Sequence, residues 1–147
     1  MRVARLASPL GDLYATVDAD GALASLGTAP VAGEPVELPA LAAQLDRYWA
    51  REPVVFDVPL APAGTTFQKK VWAALRDLPW GRTIPYAELA RRVGSNPRAV
   101  GQANGANPVA IVVPCHRVVG SDGGLVGYAG GIEMKRFLLR LEGCLLL

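Results

Sequence analysis

A chain of 147 residues is long enough for one well-filled core or for a small domain beside a larger one, and its composition, 51% hydrophobic and 19% charged, excludes the disordered and fibrous classes. No run approaches the roughly 18 apolar residues of a membrane span, and the N-terminus lacks a basic segment followed by an apolar run, so a cytoplasmic protein with no membrane partner is expected. The net charge of +2 hides an asymmetry: residues 1–64 hold four basic and eight acidic side chains, residues 65–147 eleven basic and five acidic, and only the second part suits a polyanion.

The first sixty residues alternate short β-like runs with turns. Residues 3–7, 13–17 and 23–26 read as strands separated by Ser8-Pro9-Leu10-Gly11 and Asp18-Ala19-Asp20-Gly21, a small antiparallel meander. Leu41, Leu45 and Tyr48 or Trp49 then fall at helical spacing over Pro39 to Trp49, and Val54, Phe56 and Val58 alternate like a strand. Residues 59–64, with two prolines and a glycine, read as a linker.

Helical signals dominate from there. Thr65 and Gln68 make a capping-box pattern, and Phe67, Val71, Trp72 and Leu75 form the apolar stripe of the helix it opens. A second helix is expected from Tyr86 to Val93, stopped by Gly94, and a third from Pro97 with Asn96 as its cap. Joined by a Gly-Ser-Asn turn, these two make a helix-turn-helix. The apolar residues 110–113 lead into Pro114-Cys115-His116-Arg117-Val118-Val119 and a glycine-rich loop over 120–131, which lacks the lysine and hydroxyl residue of a phosphate-binding loop. A last helix over 132–142 turns Phe137, Leu138 and Leu141 inward and stops at Gly143. The expected fold class is therefore α/β, more narrowly α+β: an N-terminal domain, 1–60, with a short antiparallel sheet, and a mainly helical C-terminal domain, 61–147, carrying the helix-turn-helix.

Two cysteines and one histidine are too few for a zinc site of four Cys and His ligands within one chain, so neither a metal nor a cofactor is expected. Without a secretion signal, Cys115 and Cys144 are expected to be free thiols. A thiol attacks as thiolate, and Cys115-His116-Arg117 sets a base and a cation beside it. Cys144, in an apolar tail, reads as packing.

The second half resembles the O6-alkylguanine-DNA alkyltransferases, also called methylated-DNA-protein-cysteine methyltransferases, of the bacterial type. The resemblance runs in order through Thr66-Phe67-Gln68 with Val71-Trp72, Pro85-Tyr86 with Leu89-Ala90, Arg98-Ala99-Val100-Gly101, Asn107-Pro108, Pro114-Cys115-His116-Arg117-Val118, Gly127-Tyr128-Ala129-Gly130-Gly131, and Leu138-Leu139 with Glu142-Gly143. It implies a single-use DNA repair protein that moves a methyl or larger alkyl group from O6 of guanine, and from O4 of thymine, in double-stranded DNA onto Cys115, acting as a monomer. His116 then takes the thiol proton through a bound water while Glu142 holds its other nitrogen. Tyr86 meets guanine N3, and Asn107 ties the helix-turn-helix to the cysteine loop. The main chain at Cys115, Val118 and Ala129, with Tyr128 beside it, reads the guanine edge. The family often has serine where Ala129 stands, so a hydroxyl contact is lost here.

The resemblance also implies base flipping, with Arg98 filling the vacated stack and the helix from Arg98 through Ala99 and Gln102 lying in the minor groove. That helix is poor in long side chains, which suits indifference to sequence better than reading of an operator. Lys69, Lys70, Arg91 and Arg92 are candidate phosphate contacts. Three rivals make different use of the same residues: a lesion-flagging relative without transfer, which Cys115 argues against; a helix-turn-helix regulator; and a turning-over Cys-His hydrolase.

Overall fold

The computed structural model describes residues 1–120 and 131–144, and the chain divides into two compact units, Met1–Ala63 and Gly64–Leu147. Tyr128 and Ala129 lie outside the described residues.

In the first unit β1 (Arg2–Leu6), β2 (Leu13–Val17) and β3 (Leu23–Gly27) form the antiparallel meander, with Arg2 opposite Val17 and Leu6 opposite Leu13. Its turns close as their residues suggest: the Gly11 amide donates to the Ser8 carbonyl, and the amides of Asp20 and Ala22 donate to the Asp18 carboxylate. A fourth strand, β4 (Glu34–Pro35), joins β1 in parallel, so the sheet order is β3-β2-β1-β4. Helix α1 (Pro39–Trp49) buries Leu41, Leu45 and Tyr48, as its spacing predicts.

The strand expected at Val54, Phe56 and Val58 does not form. Val54 and Phe56 are buried and Val55 and Asp57 exposed, so the alternation is real, yet the segment joins no ladder. Pro53 and Pro59 bracket it and supply no amide hydrogen to a sheet. What remains is a single bridge between Leu23 and Leu60, made when the Leu23 amide donates to the Pro59 carbonyl and the Ala61 amide to the Leu23 carbonyl. Residues 59–61, expected within a linker, are thus tied to β3.

The second unit opens with α2 (Thr66–Arg76), where both halves of the capping box are made between Thr65 and Gln68. Gly64 is needed there because a Cβ would stand 2.5 Å from the Trp72 ring. Val71, Trp72 and Leu75 are buried, and the Trp72 indole donates to the Ala103 carbonyl at 2.8 Å, fastening α2 to α4. Helices α3 (Tyr86–Val93) and α4 (Pro97–Gly105) meet at a turn in which Gly94 adopts φ 71° and the Asn96 side chain accepts from the Ala99 amide. These are the helix-turn-helix elements.

Two features of this unit escaped the sequence reading, as β4 did in the first. Strand β5 (Ile84–Pro85) pairs in parallel with β6 (Val118–Val119), which ties the residue before Tyr86 to the chain just past Cys115. Helix α5 (Ile132–Leu141) buries Met134, Lys135, Leu138 and Leu139, while Phe137 and Leu141, expected inward, are only half-buried. Among the described residues no helix is long and apolar enough to cross a membrane.

Gly94→Ala is expected to lower stability by about 1 kcal/mol, the cost of placing an L-residue in the left-handed region, because a Cβ there would meet nothing within 4 Å and conformation alone is charged. Denaturant unfolding of the two proteins checks it.

Candidate active site

The chain reaches Cys115 through a series of tight turns. The Val113 amide donates to the Val109 carbonyl, the Val112 amide to the Ala110 carbonyl at 2.8 Å, and the Cys115 amide to the Val113 carbonyl at 2.8 Å. Closing the second of these puts Ile111, a buried β-branched residue, at φ 73°, a conformation that costs about 1–2 kcal/mol outside glycine. Asn107 brackets the strained residue. Its Nδ2 donates to the carbonyls of Val113 at 2.9 Å and Val109 at 3.3 Å, and its Oδ1 accepts from the Val109 amide at 3.0 Å. Asn107 therefore joins the end of the helix-turn-helix to the chain leading into the cysteine.

Cys115 opens a 3₁₀ turn, Cys115–Arg117, and is 1% exposed. His116 and Glu142 have no exposed side-chain surface, and their Nε2 and Oε2 atoms lie 2.6 Å apart. Arg117, also buried, donates Nε to Glu142 Oε1 at 2.8 Å, one terminal nitrogen to Glu142 Oε2 at 3.1 Å, and the other to the Leu78 carbonyl at 2.6 Å. Burial alone would raise the Glu142 carboxyl, but its bonds and charge pairs with His116 and Arg117 outweigh burial and hold it at about 2. Burial lowers His116, opposed by Glu142, so the imidazole is neutral near pH 7.

These facts fix the tautomer. A carboxylate only accepts, so Nε2 carries the hydrogen and donates it to Glu142. Nδ1 then holds a lone pair, and it is buried with no hydrogen-bond partner among the described residues. The site thus contains a neutral base whose free lone pair is set by a carboxylate behind it.

Tyr86, at the start of α3, is half-buried, and its hydroxyl lies 3.5 Å from Asn104 Nδ2. Burial raises its pKa, the Asn104 bond opposes the rise, and charge on Cys115 adds to it. Lys135 is fully buried, with Nζ 5.8 Å from the centre of the Tyr86 ring. Burial draws its pKa down to about 8, and the Cys115 thiolate opposes the fall, so ammonium and thiolate favour one another.

Of the residues expected from the sequence, Cys115, His116, Glu142, Tyr86, Asn107 and Val118 belong to this one neighbourhood. Arg98 and Gln102 stand exposed on α4 with Ala99 half-buried between them, on the side away from buried Val100, Ala103 and Asn104. Arg91 and Arg92 are exposed, and both pair with Glu88, at 2.6 and 2.8 Å. Lys69 and Lys70 are exposed on α2. Sequence reasoning missed Lys135, Asn104 and the clamp role of Arg117. A signal existed for Lys135: residues 135, 138, 139 and 142 share one helical stripe, and a lysine on a buried stripe is rarely there for packing.

Acidification is expected to destabilise the protein in two stages. The folded pKa of His116 lies below its ordinary 6.5, so the unfolded chain takes the proton first and stability declines as pH falls through that value. Glu142 contributes stability that is complete above its ordinary 4.5 and is lost as pH falls towards about 2. Denaturant midpoints measured across this range check both stages, and Glu142→Gln should shrink the lower one. Arg117→Ala, which leaves the carboxylate buried without its cation, should cost about 3–5 kcal/mol.

Comparison with known proteins identifies the scaffold. A family model, "6-O-methylguanine DNA methyltransferase, DNA binding domain", matches residues 66–144. A methylated-DNA--protein-cysteine methyltransferase of Methanosarcina acetivorans is 57% identical over 103 residues, 68% of this chain and 65% of the relative. One from Salmonella typhimurium is 52% identical over 110 residues, 73% of this chain and 64% of the relative. The matched part is thus just under two thirds of the length of these relatives. Among solved structures, Mycobacterium tuberculosis OGT in complex with DNA superposes with a TM-score of 0.88 at 42% identity, covering 97% of this chain and 92% of that one. With the family model spanning more than half of its residues, the chain belongs to the 6-O-methylguanine DNA methyltransferase family.

Proposed function

We propose that this chain repairs double-stranded DNA by taking an alkyl group from O6 of guanine onto the sulfur of Cys115, once per molecule. The observation that carries the reading is the neutral His116, its Nε2 committed to Glu142 and its Nδ1 lone pair uncommitted, one residue from a buried cysteine. In the reaction the thiol proton passes through a bridging water to Nδ1, and the sulfur attacks the alkyl carbon in line. The S–C bond forms as the C–O6 bond breaks, and the electron pair leaves on the guanine. No step restores the thiol, so turnover ends with the thioether.

Lys135 favours the attacking thiolate, and Tyr86 donates a hydrogen bond to guanine N3, where the departing base gathers negative charge. Asn107 holds the turn that presents Cys115, and the main chain at Val118, with Tyr128 and Ala129, meets the guanine edge. Because Cys115 is buried, a base within a duplex stack cannot reach it, which supports extrusion of the nucleotide. Arg98 props the gap, and Ala99 and Gln102 lie against the minor groove. The exposed part of α4 offers few long side chains for reading sequence, which suits a scanner of damage, and the relative solved in complex with DNA supports a DNA partner. O4-alkylthymine and alkyl groups larger than methyl are further substrates, and the protein acts as a monomer without metal or cofactor.

The test mixes the protein with duplex DNA bearing one O6-methylguanine in slight excess, with Cys115→Ala as control, and reads intact and peptide masses. One added methyl on the Cys115 peptide, never more than one, and none in the control is the expected result. Unchanged mass with tight binding of the damaged duplex would instead make this a lesion-binding protein.

A further inference from the structure

Asn104 stands on the inner side of α4 between the machinery's two reacting ends. It is 1% exposed, and its Nδ2 lies 3.3 Å from the Cys115 carbonyl oxygen and 3.5 Å from the Tyr86 hydroxyl. The carbonyl fixes the orientation of the amide. An oxygen that can only accept needs a donor opposite it, so the atom placed between Cys115 and Tyr86 is the nitrogen, with a hydrogen for each. The amide oxygen is left buried with no hydrogen-bond partner among the described residues. Its neighbours on the same side of the helix, Val100 and Ala103, are buried and apolar. A leucine would fill the position without stranding an acceptor, so the two donated hydrogen bonds are what asparagine adds there.

We infer that Asn104 is a positioning residue for alkyl transfer, acting through Tyr86: anchored on the Cys115 carbonyl, it donates to the phenol oxygen and so directs the phenol hydrogen away from itself and towards the departing base. This rests on the alkyl-transfer reading. A phenol that accepts one hydrogen bond becomes a stronger donor of its own, because the accepted bond stabilises charge growing on its oxygen. As the C–O6 bond breaks, its electron pair spreads into the guanine ring, and a donor aimed at that ring stabilises the charge only if its hydrogen is not turned elsewhere. Removing the Asn104 donor takes away this bias on the phenol hydrogen. Replacing it by an acceptor captures the phenol hydrogen outright. The pKa of Tyr86 carries the same signature, since the Asn104 bond acts against the rise that burial imposes.

The experiment compares wild type, Asn104→Leu and Asn104→Asp, each with Tyr86 and with Tyr86→Phe. Three quantities are read: thermal stability, affinity for the methylated duplex, and the first-order rate of methyl transfer with protein in excess. Asn104→Leu should be at least as stable as wild type, bind DNA unchanged, and transfer about tenfold more slowly, the worth of one hydrogen bond in the transition state. Asn104→Asp should be slower still at neutral pH. In the Tyr86→Phe background neither change should slow transfer further. A fluorine-NMR titration with difluorotyrosine at position 86 should show the phenol pKa rising in Asn104→Leu. Equal slowing with Tyr86 and with Phe at position 86, or an unmoved phenol pKa in an active protein, would overturn the inference while leaving alkyl transfer intact. Absence of methyl transfer by wild type would overturn the transfer reading and the inference together.

Discussion

Glu142 is a carboxylate at the wrong end of a helix, sealed from water, and the site is arranged around keeping it charged. It caps the C-terminus of α5, where the helix dipole disfavours negative charge, and its side chain has no exposed surface. An isolated carboxylate would take up a proton there. Two bonds from Arg117 and one from His116 prevent this, and Arg117 is itself fixed by the Leu78 carbonyl beyond α2. One charge thus joins the last helix, the turn bearing the cysteine and the chain leaving α2. Such a cluster is a weak source of net stability, because desolvation consumes most of what the pairing returns. What it secures is direction: the imidazole has one place for its hydrogen, and the lone pair falls on the other nitrogen.

The remaining elements hold reacting groups to that reference. The β5–β6 pair fixes the start of α3, hence Tyr86, to the strand just past Cys115. Asn107 binds both ends of the strained turn at Ile111, so α4 and the cysteine cannot shift independently without breaking its bonds. Trp72 fastens α2 to α4 through the Ala103 carbonyl, one residue from Asn104. Backbone strain at Ile111 is the kind held in place at functional sites, where surrounding bonds over-determine the conformation.

How legible each part was in the sequence follows from how local its signal is. The helix-turn-helix could be read because Gly94, Asn96 and Pro97 act within one turn of themselves, as do Thr65 and Gln68 at α2. The segment around Val54 and Phe56 misled because alternation reports burial and not strand pairing, and its flanking prolines were the better guide. The parallel pairs of β4 with β1 and β5 with β6 are two-residue contacts between distant parts of the chain, with no pattern of their own. In α5 the inward stripe was drawn through apolar residues alone, and hydrophobic spacing gives no weight to a lysine, whereas Lys135 is buried with its ammonium against the Tyr86 ring. Cys115, His116 and Glu142, with the contact of Glu142 on the imidazole, were legible from the family motifs, and the Arg117 cation that Glu142 also holds was not.

The central claim is the state of the imidazole, and His116 is the only histidine in the chain, so nitrogen-15 labelling of histidine reports on it alone. Nitrogen shifts and hydrogen couplings of the free protein near pH 7 should show a neutral ring with the hydrogen on Nε2 and a pyridine-like Nδ1. The same pattern should persist below pH 6.5, the ordinary histidine pKa, because burial holds the ring neutral. A hydrogen on Nδ1, or an imidazolium at pH 7, would leave no base for the Cys115 proton and would contradict the account.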